Sequence, residues 1–183
     1  MAGNPVLGFL SARPTGDGPH ANVTKMLRLL GIILLVSFVV TLVSGVLGVA
    51  LGASYYAVSA TAVSATNSAV LTAGYIVGIV FSLVITGLVL WWITFTVNAW
   101  MNREPRGATH ALIIGILATV FGALGALTGL LGGVFGATKY PMYMVLTLLS
   151  ALVSAAEAYC GIMILMNRSK ATAGTGAGIG TTP

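Results

Sequence analysis

Residues 29–102 contain no Asp, Glu, Lys or Arg, a run of 74 positions bounded by Arg28 and Arg103. A helix crosses the hydrocarbon of a bilayer with roughly 20 apolar residues at about 1.5 Å each. The run therefore has room for two spans and a connector. The rest of the chain has the same character. Of its 183 residues 57% are hydrophobic and only 6% charged, and its mean hydropathy is +1.02. A soluble domain carries about 25% charged residues to wet its surface. Disorder needs the opposite composition, low hydrophobicity and high charge. Cys160 is the sole cysteine, which excludes a disulfide scaffold.

The apolar windows predict four membrane helices near 29–51, 70–100, 111–135 and 142–166, all with helical rather than alternating patterning. The expected fold is all-α: an integral membrane four-helix bundle over 29–166. An arm, 1–28, precedes it and a flexible tail, 167–183, follows. None of the six prolines falls inside a span, where it would delete a backbone donor. Pro105 is expected in the second connector. Pro141 is expected to open the fourth helix, where its missing N–H costs nothing. Lys25 and Arg28 resemble the basic flank of a signal peptide. The apolar run after them is about 23 residues against 7–15 for a cleaved signal, so it reads as a retained span.

Charge sets the expected orientation. Arg13, Lys25, Arg28, Arg103, Arg106, Arg168 and Lys170 fall on one side of such a bundle and Lys139 alone on the other. Short basic loops stay cytoplasmic, so both termini are expected inside. Asn22-Val23-Thr24 has the form of a glycosylation acceptor but lies on that inner side. Tyr55, Tyr56, Tyr140 and Tyr143 fall near the outer helix ends. Trp91, Trp92, Phe95 and Trp100 fall near the inner end of the second helix. Aromatic rings with a polar atom favour the headgroup zone, with core packing the alternative for Trp91 and Trp92.

The parts outside the spans are small. The outer connector holds a tandem repeat, Ala57-Val58-Ser59-Ala60-Thr61 and Ala62-Val63-Ser64-Ala65-Thr66, either a linker or an outward extension of its helices. The Gly/Ala/Thr tail from Ala171 has no core-forming residue. The arm carries an apolar patch, Pro5 to Leu10, expected to dock on a partner or the membrane surface if it is ordered.

Many of the 24 glycines fall within the spans. In lipid, small residues let two helix backbones approach closely. Gly48 and Gly52 form one four-residue step. Gly74, Gly78, Ser82 and Thr86 form a second row, and Gly125, Gly129 and Gly133 a third, flanked by Gly122, Gly132 and Gly136. Spacing by four keeps each row on one slowly drifting face. Two readings stand: packing within one bundle, or a row on the third helix facing another protein.

No catalytic residue, cofactor site or metal site is expected. His20 and His110 both lie at the inner side and cannot clamp a haem from opposite helices. One cysteine and two histidines fall short of a zinc site. Met142 and Met144 lack a His or Cys companion for copper. No serine or threonine has a base that can be named. The scattered basic residues do not suggest nucleic-acid binding. Glu157 stands apart, about 10 residues and so roughly 15 Å inside the fourth span. A charged carboxylate at such depth costs about 2.5–3.5 kcal/mol, so it is expected protonated or paired. Ser154, Glu157 and Gly161 share a face by spacing. Thr41, Ser44, Ser82, Thr86 and Ser154 are the expected hydroxyl partners. Three roles are open: a neutral carboxyl bonded across helices, a contact with a partner subunit, or a proton carrier.

The segment from Ala156-Glu157 through an apolar run to Asn167-Arg168-Ser169-Lys170-Ala171-Thr172 resembles the last helix of the rotary ATPase proteolipid. The resemblance covers about 20 residues, and it implies that Glu157 carries protons. The apolar run after Glu157 is shorter than in that family, and the connectors fit it poorly. Trp100-Met101-Asn102-Arg103, a basic turn and an Ala/Gly/Leu-rich third span are similar to small four-span membrane proteins of actinobacteria. That resemblance implies an accessory subunit, some of those proteins sitting on respiratory complexes. The expected function is thus a non-enzymatic subunit packed against other membrane subunits and lipid. The alternative is a proton- or ion-translocating component using Glu157.

Overall fold

A computed structural model of the chain describes residues 18–58, 65–136 and 141–176. The described residues form four helices and no strand: α1 Pro19–Val58, α2 Ala65–Met101, α3 Pro105–Gly136 and α4 Pro141–Gly176. Each contains a stretch long and apolar enough to cross a bilayer, Pro19–Val43, Ile76–Met101, Pro105–Leu131 and Met144–Ala173. The Pro5–Leu10 patch, Ser59–Ser64 of the repeat, Lys139 and the last seven residues lie outside the described set.

All four helices are longer than their apolar windows. The 40 residues of α1 reach about 60 Å at 1.5 Å each, twice the hydrocarbon thickness. Polar residues such as His20, Asn22 and Lys25 do not stop α1, because helix formation saturates backbone hydrogen bonds and no breaker intervenes until Pro19. Three of the four helices begin at a proline, with φ preset and no N–H to lose. Pro105 opens α3 rather than sitting in a loop, so the second connector shrinks to residues 102–104. The expected tail is helical through Gly176, continuing α4, and the first half-repeat extends α1 to Val58.

The tight α2–α3 corner has a clear backbone cause. The Arg103 amide donates to the Trp100 carbonyl (3.0 Å) and the Glu104 amide to the Ala99 carbonyl (2.9 Å). Arg103 is left-handed, φ 58°. This pattern is the Schellman stop, with arginine where glycine is usual. Gly107 then lies on the end of α2. A Cβ there would stand 2.5 Å from the Trp100 amide nitrogen.

The most extensive helix pair is α3 with α4, followed by α1 with α4, α1 with α2 and α2 with α3. The helices thus close a ring. Its core gathers at the end where α1 begins and α4 finishes. Val23, Leu27 and Leu30 of α1 meet Ile93, Val97 and Trp100 of α2, Ala111 and Ile114 of α3, and Cys160 and Ile164 of α4. Asn22 Nδ2 also donates to Asn167 Oδ1 (3.5 Å), joining the start of α1 to the end of α4. Toward the other end the ring loosens. Val77, Val80, Phe81, Leu83 and Val84 of α2 are all more than half exposed or at half, as suits a face turned to lipid.

Candidate functional site

Two features are candidates, a glycine seam and a buried carboxyl. The seam joins α3 and α4 as antiparallel neighbours. A Cβ on Gly122 would strike the Ala158 backbone nitrogen and lie 2.7 Å from the Ser154 carbonyl oxygen. One on Gly125 would lie 2.7 Å from Ser154 Oγ, and one on Gly129 would lie 2.9 Å from Ala151 Cβ. From the other side, a Cβ on Gly161 would lie 2.5 Å from Thr119 Oγ1 and 2.7 Å from the Gly115 carbonyl oxygen. These glycines have nothing but backbone and small side chains opposite them, so the helix axes can approach closely.

The seam follows a finer rule than spacing by four. Gly115, Gly122 and Gly129 are seven apart, with Gly125 between the last two. A seven-residue period keeps one face toward a neighbour as two helices wind left-handed. Gly122, first read only as a flanking residue, makes the closest approach. The signal was present as a 3-4 alternation. Gly125 and Gly129 of the third-helix row, with Gly122, thus pack against α4 within the chain. The α2 row differs. Around Gly78 nothing lies within 4 Å, while Ser82 and Thr86 of the same row are half-buried. Within one chain, then, Gly78 is not a packing contact. The surroundings of Gly48, Gly52, Gly74 and Gly133 lie outside the described side chains.

Glu157 faces the interior of the ring. It borders a cavity of about 360 Å³ whose other walls include Leu34 of α1, Val89 and Trp92 of α2, and Ile114 and Phe121 of α3. Ser37 of α1 is the hydroxyl residue that faces the carboxyl. The Oε1 atom is buried and has no hydrogen-bond partner among the described residues. Ser37 was not among the expected hydroxyls. Thr41, one turn away, spends its own hydroxyl on the Ser37 carbonyl (2.9 Å), the back-bond that serine and threonine commonly make in helices. Ser154 lies against Gly125 on the α3 seam. It and Glu157 stand three residues apart, yet they serve different neighbours.

The histidines belong to aromatic clusters. Trp92 Nε1 donates to His110 Nδ1 at 2.9 Å, and Phe95 meets the same imidazole edge-on at 5.5 Å. Trp100 stacks on His20 at 4.8 Å and donates its indole N–H to the His20 carbonyl at 3.0 Å. Trp91, by contrast, is 68% exposed. The two neighbouring tryptophans therefore divide between the alternatives, Trp91 facing outward and Trp92 packing inward. No group of three His, Cys, Asp or Glu able to hold a metal occurs among the described residues.

The length and apolarity of its helices make the chain a multi-pass helical membrane protein. Comparison with family profiles, curated proteins and solved structures finds no match. Its function must be argued from its own geometry.

Proposed function

We propose that this protein is a non-enzymatic accessory subunit of a larger complex in a bacterial plasma membrane, with both termini cytoplasmic and α2 as its docking helix. A respiratory complex is the host implied by the likeness to actinobacterial four-span proteins. The observation that carries the reading is the open space around Gly78 on the exposed part of α2. Glycine in a helix costs about 0.8–1 kcal/mol relative to alanine. On α3 that cost is offset by close backbone contact. On α2, Gly78 has no neighbour in the chain to offset it. A small-residue face of another membrane helix would supply one.

Extraction in mild detergent tests this directly. The wild type should migrate and copurify with larger partners. Gly78→Leu should leave the isolated chain folded and abolish the association. Migration of the wild type only as an 18.6 kDa monomer would refute the reading. Orientation is tested by single cysteines in a Cys160→Ser background. Ser64→Cys and Lys139→Cys should react with an impermeant thiol reagent on intact cells, and Arg106→Cys should not.

A second reading, an ion- or proton-translocating component, is favoured by one observation. Glu157 borders the central cavity with an oxygen lacking a partner. Intramembrane carboxyls commonly mark ion pathways. Carbodiimide labelling of Glu157 and loss of flux in Glu157→Gln would support it. Full flux in Glu157→Gln would exclude it.

A further inference from the structure

A second cavity, about 400 Å³, lies at the end of the bundle where α1 starts and α4 finishes. His20 of α1, Trp100 and Arg103 of α2, Glu104 of the connector and Lys170 of α4 border it. Its depth is informative. The apolar window of α2 ends at Met101, and those of α1 and α3 begin at Pro19 and Pro105. The cavity thus sits at the hydrocarbon boundary, the level of lipid headgroups. Its charged wall holds two permanent cations, Arg103 and Lys170, against one carboxylate. Its apolar wall is made by Pro19, Pro105, Ala108 and Ala171, beside the buried Trp100 indole that stacks on His20.

We propose that this cavity binds the headgroup of an anionic phospholipid bearing free hydroxyls, of the phosphatidylglycerol type. The Arg103 guanidinium and the Lys170 ammonium donate to the phosphodiester oxygens, charge-assisted bonds for which arginine is well shaped. Glu104 accepts from a headgroup hydroxyl and opposes a bare, multiply charged phosphate ion. The proline and alanine wall lies against the glycerol backbone and the first acyl carbons. A lipid suits this mixed lining better than a free anion, which would leave the apolar wall uncovered. The site also accounts for an arginine in the left-handed position, where glycine would carry no strain.

The test uses the full chain in neutral detergent. It is titrated separately with dioleoylphosphatidylglycerol, dioleoylphosphatidylcholine and inorganic phosphate, with melting temperature and native mass spectrometry as readouts. Phosphatidylglycerol should bind saturably and raise the melting temperature, with the choline lipid at least several-fold weaker and inorganic phosphate unable to compete. Arg103→Gln and Lys170→Gln should each weaken phosphatidylglycerol about tenfold, the loss of one charged hydrogen bond. Arg106→Gln, on the same side but outside the cavity, should stay within about twofold. Arg103→Gly separates binding from folding: without lipid it should melt no lower than the wild type, yet lose most of the lipid-induced rise. Equal binding of both lipids would overturn the proposal. So would an equal loss in Arg106→Gln, full binding by Arg103→Gly, or competition by millimolar phosphate, which would make this a site for the free anion.

Discussion

Helices α2 and α3 carry the same kind of small-residue row and use it in opposite ways. On α3, Gly122, Gly125 and Gly129 lie against the backbone and small side chains of α4. On α2, Gly78 meets nothing, and Val77 beside it is 67% exposed. A glycine row is therefore a capacity for close approach, and whether it is used depends on what stands opposite. Ser154, Ala151 and Ala158 supply α3 with a face as small as its own. Among the described side chains of α2, the fully buried ones gather at the core end, around Ile93 and Val97.

The largest expected effect tests the α3 side. Gly122→Leu drives a side chain into the Ala158 backbone, which cannot rotate away. It should cost at least the 1–3 kcal/mol typical of overpacking and remove the protein from the membrane fraction. Gly129→Leu meets Ala151 instead and should cost a similar or smaller amount, read as lower expression and a lower melting temperature in detergent. Unchanged stability in both variants would mean that the seam opens freely, and the contrast with α2 would collapse.

Smaller effects sharpen the contrast. Arg103→Gly relieves the left-handed strain at the α2–α3 corner and should stabilise the isolated chain by about 1 kcal/mol. This gain arises in the turn and should leave the partner association of α2 untouched. Ser37→Ala removes the hydroxyl that faces Glu157. Hydrogen bonds between membrane helices average about 0.6 kcal/mol, so the expected loss is of that order. It should be detectable as a small drop in melting temperature that vanishes in a Glu157→Leu background. A drop of the same size in that background would show that Ser37 acts without the carboxyl.

The helices were legible because a bilayer demands long apolar helical runs, and hydropathy reports such runs directly. Their ends were less so. The windows 29–51 and 142–166 stop where apolarity stops, whereas α1 and α4 continue through polar residues to Pro19 and Gly176. Backbone hydrogen bonding propagates a helix until a breaker or a cap intervenes, regardless of solvent. The Schellman turn at Arg103 was illegible for another reason, since arginine is not the residue that marks such a turn.

By itself, then, the sequence determined that the chain is a four-span helical membrane protein, that Glu157 lies deep in the fourth span, and that small-residue rows run along its helices. Those properties follow from local composition and spacing along one helix. Only the tertiary structure decided that Ser37 rather than Thr41 or Ser154 faces Glu157, that Gly125 and Gly129 close on α4, and that Gly78 of α2 meets no neighbour. Each of these depends on the rotation and axial shift of one helix against another. A shift of a single residue turns a helix face by about 100°, so which faces meet is settled by how all four helices pack together.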